Sequence, residues 1–295
     1  MASRFRVTLL GTGSPIPRPE RFGPSTLIEA GDQTILIDAG RGATIRMSQL
    51  GVPLGRIDAL LLTHFHSDHT VGIPDLWLTG WLSSHFGARR KPFNVIGPSG
   101  TEVLMRHLEA AYRHDIEIRI EDEKLAREHI AITVKEFAED GLVHEAGDLR
   151  VTAFTVDHGD AIKPAYGYRI DYQGRVAVVS GDTRYNENVV QYAKGADLLI
   201  HEVAMAKMEL LGDLHIQRIV NHHTSPQEAG LVFTRAGAKL AVFTHLVMLT
   251  SETVSAPTVE ELVAATRETY DGALVVGEDL ISFEIADTVT VRRPD

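Results

Sequence analysis

The sequence predicts a single layered α/β domain in which two sheets pack face to face between outer helices. Three observations carry this expectation. Short apolar runs alternate with amphipathic segments from end to end, the pattern of strands and helices taking turns. The grammar of the first half, roughly residues 1–150, repeats in the second, roughly 151–295. No Pro/Gly-rich linker, solenoid-type repeat or low-complexity segment separates the halves, so one domain spanning 1–295 is expected.

Taken in order, RVTLL, TLIEA, TILIDAG and IDALLLT read as the first strands, with Gly11, Gly13 and Gly31 marking turns. Residues 73–90, IPDLWLTGWLSSHFGARR, read as a helical insert that places Trp77 and Trp81 on one face. Those two rings serve either the core or the wall of an aromatic pocket; Arg89, Arg90 and Lys91 are either its basic partner for an anion or solvated surface. Ser99, Gly100, Thr101 and Glu102 form a capping-box pattern, and Val103, Leu104, Leu108, Ala111 and Tyr112 share roughly one face of the helix after it. Residues 115–130 mix charge with weak periodicity, read as a solvated face, and receive no element. ITVKEF and LRVTAFTV resume the strands. YGYRIDYQGRVAVVS is a hairpin turned at Gln173 and Gly174, followed by a helical stretch, the strand DLLI, a helix, and the strand KLAVFT. Ser225, Pro226 and Glu228 read as N-cap, first-turn proline and capping-box glutamate, so His223 lies just ahead of a helix.

Composition sets the boundaries. At 295 residues and 44% hydrophobic content the chain can bury a large core. It has no cysteine, so any metal must be held by nitrogen and oxygen. A net charge of −11 argues against a broadly basic surface for a long polyanion. No stretch approaches the roughly eighteen continuous apolar residues of a membrane span, and MASRFRVTLLGTGS lacks a secretory core and cleavage site. A cytoplasmic protein with no membrane partner is expected.

Chemistry gathers at strand ends. His64 follows ALLL, His158 follows VTAFTV, Asp182 follows VAVVSG, His201 follows DLLI and His245 follows LAVFT. In layered α/β proteins, ligands collect at the carboxyl ends of strands, where loops carry chemistry on a rigid support. The run THFHSDHT, residues 63–70, adds His66, Asp68 and His69 to His64. A lone histidine there is ordinarily structural, whereas four donors in six positions point to a mixed nitrogen and oxygen metal site.

His-x-His-x-Asp-His resembles the signature of the metallo-β-lactamase superfamily. LGTGSP, IDAG, DHG at residues 157–159, SGDTR and FTHL follow in that family's order. The resemblance implies a four-layer αββα sandwich and two divalent ions, zinc first, with manganese or iron as alternatives. It implies His64, His66 and His158 on one ion, Asp68, His69 and His245 on the other, and Asp182 on both. Within the superfamily the chain resembles the ribonuclease Z branch, because HEVA at residues 201–204 and HTSPQEA at residues 223–229 match two of its elements. This implies His223 as proton donor, oriented by Glu202, with Asp68 handling the nucleophile. His201, His215 and His222 are read as ordinary hydrogen-bonded histidines.

Two departures bear on substrate. Only DYQG separates GYRI from RVAVVS, which leaves no room for the branch's usual transfer-RNA-gripping arm, and RGATIR follows IDAG where the family carries a glutamate and then a glutamine. The expected activity is therefore hydrolysis of small or short phosphodiesters, with a small molecule or short oligonucleotide as substrate and intact transfer RNA disfavoured. Arylsulfatase or lactone and ester hydrolysis on the same site is the alternative enzyme. A catalytically silent metal-binding protein is the alternative of another class. Di-iron redox chemistry on this fold is disfavoured by His66, where those relatives carry glutamate. Assembly as a homodimer is left open.

Overall fold

A computed structural model describes residues 5–294, and the first four residues of the N-terminal reading lie outside it. The chain runs β1 (Phe5–Gly11), β2 (Ser25–Ala30), β3 (Gln33–Ile37), α1 (Ala43–Gln49), β4 (Ala59–Leu61), α2 (Ser67–Thr70), α3 (Ile73–Trp81), β5 (Phe93–Pro98), α4 (Thr101–Asp122), α5 (Arg127–Ile130) and β6 (Ile132–Phe137). It continues through β7 (Gly141–Ala146), β8 (Leu149–Thr155), β9 (Tyr166–Tyr172), β10 (Arg175–Val179), α6 (Glu187–Tyr192), β11 (Leu198–Met205), α7 (Leu214–Val220), α8 (Pro226–Ala236) and β12 (Leu240–Met248). It ends with α9 (Val259–Arg267), β13 (Leu274–Val276), β14 (Ser282–Ile285) and β15 (Val289–Arg292). Among the described residues no helix is long and apolar enough to cross a membrane.

Two sheets form, ordered β15-β14-β1-β2-β3-β4-β5-β6 and β13-β12-β11-β10-β9-β8-β7. Each combines antiparallel pairing with a parallel block, β3 to β6 in one and β10 to β13 in the other. Strands pass to the second sheet after residue 137, ahead of the division expected near 150, and β14 and β15 return to the edge of the first.

Side-chain alternation explains the four layers. Val7, Leu9, Ile28, Ile35 and Ile37 of one sheet meet Val151, Tyr168, Ile170, Ile200 and Val242 of the other in the central core. The opposite faces of the same strands present Leu10, Leu27, Leu36 and Leu60 to α1, α3 and α4, and Val178, Leu199, Ala241 and Phe243 to α6, α8 and α9. Strands buried on both faces read as continuous apolar runs, which is why they are prominent in the sequence. The turn at Gln173 and Gly174 has φ of 47° and 77°, as a two-residue hairpin requires, and joins β9 directly to β10.

Several expectations change. The capping box at Ser99 does not form: α4 starts after Gly100, and Glu136 of β6 accepts from the backbone N–H of Gly100 and Glu102, both at 2.8 Å. The stretch 115–130 is largely helical, because α4 continues to Asp122 and Arg119 pairs one turn away with both Asp115 and Glu123. Of the face assigned to this helix, Leu104 and Leu108 pack inward, whereas Val103 and Tyr112 are exposed. Met105 and Ile116 supply its buried contacts instead.

The insert at 73–90 is helical only to Trp81, and its tryptophans belong to the core. Both are buried; the indole N–H of Trp77 donates to Ile130 O at 2.9 Å and that of Trp81 to Ala126 O at 3.1 Å. Arg89 is buried beside them, donating to His129 O and Trp77 O while its guanidinium faces the Phe93 ring. Burial pulls its pKa down to about 10. The aromatic-pocket reading of the tryptophans and the anion-partner reading of Arg89 therefore fall, while Arg90 and Lys91 are exposed, Lys91 paired with Asp58. Trp77→Ala is expected to cost about 3–5 kcal/mol through the cavity and the stranded Ile130 carbonyl. Urea unfolding measures it; unchanged stability together with altered substrate selectivity would return Trp77 to the pocket.

Candidate metal centre

The ends of three strands, β4, β8 and β10, and a bulge inside β12 build one cluster. Past β4 the chain turns through residues 63–66 into α2, carrying His64, His66, Asp68 and His69. The glycine of IDAG makes room for that turn, because a Cβ on Gly40 would lie 2.5 Å from the Asp68 carbonyl oxygen. His158 follows β8, and Asp182 follows β10 through Gly181, whose φ of 62° and close approach to Tyr166 O exclude a side chain. His245 lies within β12 as the extra residue of a bulge: Glu202 pairs with Thr244, but Val203 pairs with Leu246. Its φ is 44°.

Asp182 Oδ2 lies 3.2 Å from His245 Nε2, 3.3 Å from His69 Nε2, 3.7 Å from His158 Nε2 and 3.9 Å from His64 Nε2. His158 Nε2 is in turn 3.3 Å from His66 Nδ1, and Asp68 Oδ2 is 3.3 Å from His245 Nε2. The structure thus brings together all seven residues read from the sequence as ligands. They form the groups His64, His66, His158, Asp182 and Asp68, His69, His245, with donor atoms in each within 4.8 Å of one another.

The outer ring nitrogens show which way the imidazoles face. His158 Nδ1 donates to His222 O at 2.9 Å, His69 Nδ1 sits 2.7 Å from Asp38 Oδ2, and His64 Nδ1 lies 3.0 Å from Thr63 Oγ1. In each case Nε2 is left for the interior. The buried Nε2 atoms of His64 and His69 have no hydrogen-bond partner, although His69 is at ion-pair distance from Asp182. Three nearly buried carboxylates, Asp38, Asp68 and Asp182, have only imidazoles as ion-pair partners among the described residues. Buried charges of one sign call for cations. Inward lone pairs, oxygen donors and the lack of thiols make the cluster suited to divalent metal binding.

The electrostatics are strongly perturbed. Burial, with the neighbouring imidazoles, holds His64 well below its usual pKa, and burial pulls His158 down to about 4 despite Asp182. Burial also lowers His69, but Asp182 and Asp38 outweigh it and raise that ring. Burial pushes Asp182 up, against which His245 and His69 prevail and keep it ionised.

Glu202 and His223 form a second unit. Glu202 is fully buried on β11, and its Oε1 accepts from Thr183 N and Thr224 N. Its Oε2 lies 3.2 Å from His223 Nδ1, in ion-pair contact but off the line of a straight hydrogen bond. The Ser225–Glu228 capping box and Pro226 form as expected and fix the loop carrying His223. Burial lowers the His223 pKa, yet Glu202 overcomes it and brings the ring up to about 9. Of the other histidines, His222 lines the cleft, His201 is buried with Nδ1 on Glu202 O, and His215 is exposed on α7.

Asp38 supports the cluster from behind, a position that the sequence pattern alone does not assign. Its carboxylate takes Thr63 N, Thr63 Oγ1 and the His69 ring together, so one residue anchors both ends of the metal loop. The available signal was a carboxylate at the end of a strand that neighbours β4.

Residues 33–246 match the family described as Beta-lactamase superfamily domain. The chain is 37% identical over 277 residues to a ribonuclease Z of Mycobacterium avium (strain 104), covering 94% of this chain and 96% of that one. It is 36% identical over 298 residues to a ribonuclease Z of Mycolicibacterium gilvum (strain PYR-GCK), covering 98% and 99%. In three dimensions it is similar to the metallo-beta-lactamase fold protein YhfI from Bacillus subtilis, with a TM-score of 0.71, 22% identity and coverage of 96% and 100%. It is likewise similar to human tRNase Z, short form, with a TM-score of 0.66, 23% identity and coverage of 95% and 98%.

Proposed function

The chain belongs to the ribonuclease Z family of the metallo-β-lactamase superfamily and is a metal-dependent hydrolase of phosphodiesters; from that premise we propose that it works in the cytoplasm on small or short phosphodiesters, using two divalent ions. The convergence of four imidazole Nε2 atoms on one Asp182 oxygen carries this reading. His64, His66 and His158 would hold one ion, Asp68, His69 and His245 the other, and Asp182 both. Zinc suits this donor set best, with manganese or iron as substitutes. Bound ions supply Lewis acidity for the phosphoryl oxygens and lower the pKa of water.

The chain's own residues do the rest. Asp68, ionised although buried, orients the attacking water and accepts its proton. Glu202 sets the His223 ring with Nδ1 toward itself, leaving Nε2 to protonate the departing oxygen. Asp38 holds His69 in its inward tautomer. The Glu202–His223 pair has no task in a protein that only stores metal, which supports catalysis over the silent reading.

Substrate size follows from surface and charge. The two-residue turn between β9 and β10 gives no arm at that point, the net charge is −11, and among the described residues no lysine or arginine lines the metal cleft. Relatives named ribonuclease Z align along 96% or more of their own length, so the substrate question is open to direct test. Metal-loaded protein is expected to show a higher kcat/KM for an aryl phosphodiester than for precursor transfer RNA at matched salt. The reverse order would overturn the small-substrate reading and point to a docking surface supplied by a second copy of the chain.

A further inference from the structure

A cleft of about 260 Å³ opens directly onto the metal cluster, and its chemistry is divided. Its lining combines the imidazoles and carboxylates of the cluster with the aliphatic side chains of Ile16, Ile219, Val247 and Leu249. The bulge at His245 creates half of that wall. Ahead of it, Leu240 and Val242 face the opposite sheet while Ala241 and Phe243 face the outer helices. Beyond it the phase is reversed: Leu246 and Met248 join the outer layer, and Val247 and Leu249 turn toward the cleft. The residue that places His245 among the histidines therefore also places two aliphatic side chains beside them.

The other half is anchored independently. Asp213 caps α7 by accepting from His215 N and Ile216 N, Ile216 packs with Val247 and Leu249, and Ile219 reaches the cleft one turn later. Ile16 follows a loop pinned to β12, where Leu246 N donates to Thr12 O, and it is 44% exposed with no core to fill.

We propose that this aliphatic wall is a specificity pocket for one flat apolar ring, an aryl group or a single nucleobase, attached to the scissile phosphodiester. The proposal rests on the phosphodiesterase reading. Among the described residues no lysine or arginine lines the cleft, and the one imidazole there held cationic, His223, is already paired with Glu202, so a second phosphate of a polynucleotide gains little, whereas a ring gains by leaving water. An apolar cavity of about 150 Å³ accommodates benzene, so this cleft has room for one ring and its phosphate rather than for a stacked pair of bases. Seating a ring that does not react holds the phosphorus at the cluster, which is how remote binding raises turnover.

Three para-nitrophenyl esters sharing a leaving group, those of methyl, phenyl and thymidylyl phosphate, test the pocket on the zinc-loaded full chain. The phenyl or the thymidylyl ester should exceed the methyl ester in kcat/KM by about tenfold or more, the scale of small changes in apolar pockets, and whichever is higher identifies the ring. Calorimetry should show diphenyl phosphate binding about tenfold tighter than dimethyl phosphate, with a negative heat-capacity change. Ile16→Ala, at an exposed position outside the core clusters, and Ile219→Val, which keeps most of the packing of a half-buried side chain, should reduce these ratios while zinc content stays that of the parent. Equal turnover of the three esters, or ratios untouched by both variants, would overturn the pocket and leave the phosphodiesterase reading standing. No turnover of any ester would overturn that reading and the pocket with it.

Discussion

Replacing Asp182 with alanine is expected to abolish hydrolysis, by on the order of a thousandfold or more, and to lower bound metal from two ions per chain to at most one. The scale is that of losing several kcal/mol of metal-derived stabilisation. The geometry singles out this residue. Its Oδ2 is within 3.9 Å of Nε2 on four histidines drawn from the metal loop, the end of β8 and β12. No other carboxylate among the described residues reaches both ligand groups in this way. On the proposed two-ion assignment, its loss would remove a donor from each ion together with the buried charge that offsets them. Elemental analysis and aryl diester turnover on the same preparation decide the matter. Occupancy unchanged in the variant, with its melting temperature also unchanged, would show that the ions do not share Asp182.

The reason so much of this cluster is legible in sequence is that its candidate ligands are local or follow conspicuous strands. His64, His66, Asp68 and His69 lie within six positions, and β4, β8, β10 and β12 end just before or around the others. Strands such as β7 and β15 are harder to see because their burial alternates weakly at sheet edges, where apolar periodicity is diluted. The start of α4 departs from its local pattern for a related reason. Ser99 and Glu102 fit the local pattern, but Glu136, thirty-four residues past Glu102, takes both backbone donors once β6 is in place. Trp77 and Trp81 share a helical face, as their spacing says; what lies opposite that face is a tertiary fact, and it proves to be the carbonyls of residues 126 and 130. The phase reversal at His245 is of the same kind. KLAVFTHLVML has no local feature marking which residue bulges, so nothing in the string tells Val247 from Leu246.

His223→Ala is expected to reduce turnover by about a hundred to ten thousandfold, the usual contribution of a general acid, while both ions remain bound. Position makes this a demanding test. His223 also lies near Asp182 and His245 with a donor atom within 4.8 Å, so proximity alone would allow it to be a ligand. Its partner argues otherwise. Nδ1 is held by Glu202, a fully buried carboxylate whose other oxygen is occupied by two backbone N–H groups, so the ring is fixed from behind like a group that must keep and deliver a proton. A general acid matters most where the departing oxygen is most basic. The loss in His223→Ala should therefore be large for alkyl esters and shrink for para-nitrophenyl esters, and Glu202→Gln should move turnover in the same direction by a smaller factor. Equal losses across leaving groups would remove the proton-donor role. Loss of metal from His223→Ala would instead make the histidine a ligand, and the assignment of three terminal donors to each ion would have to be redrawn around it.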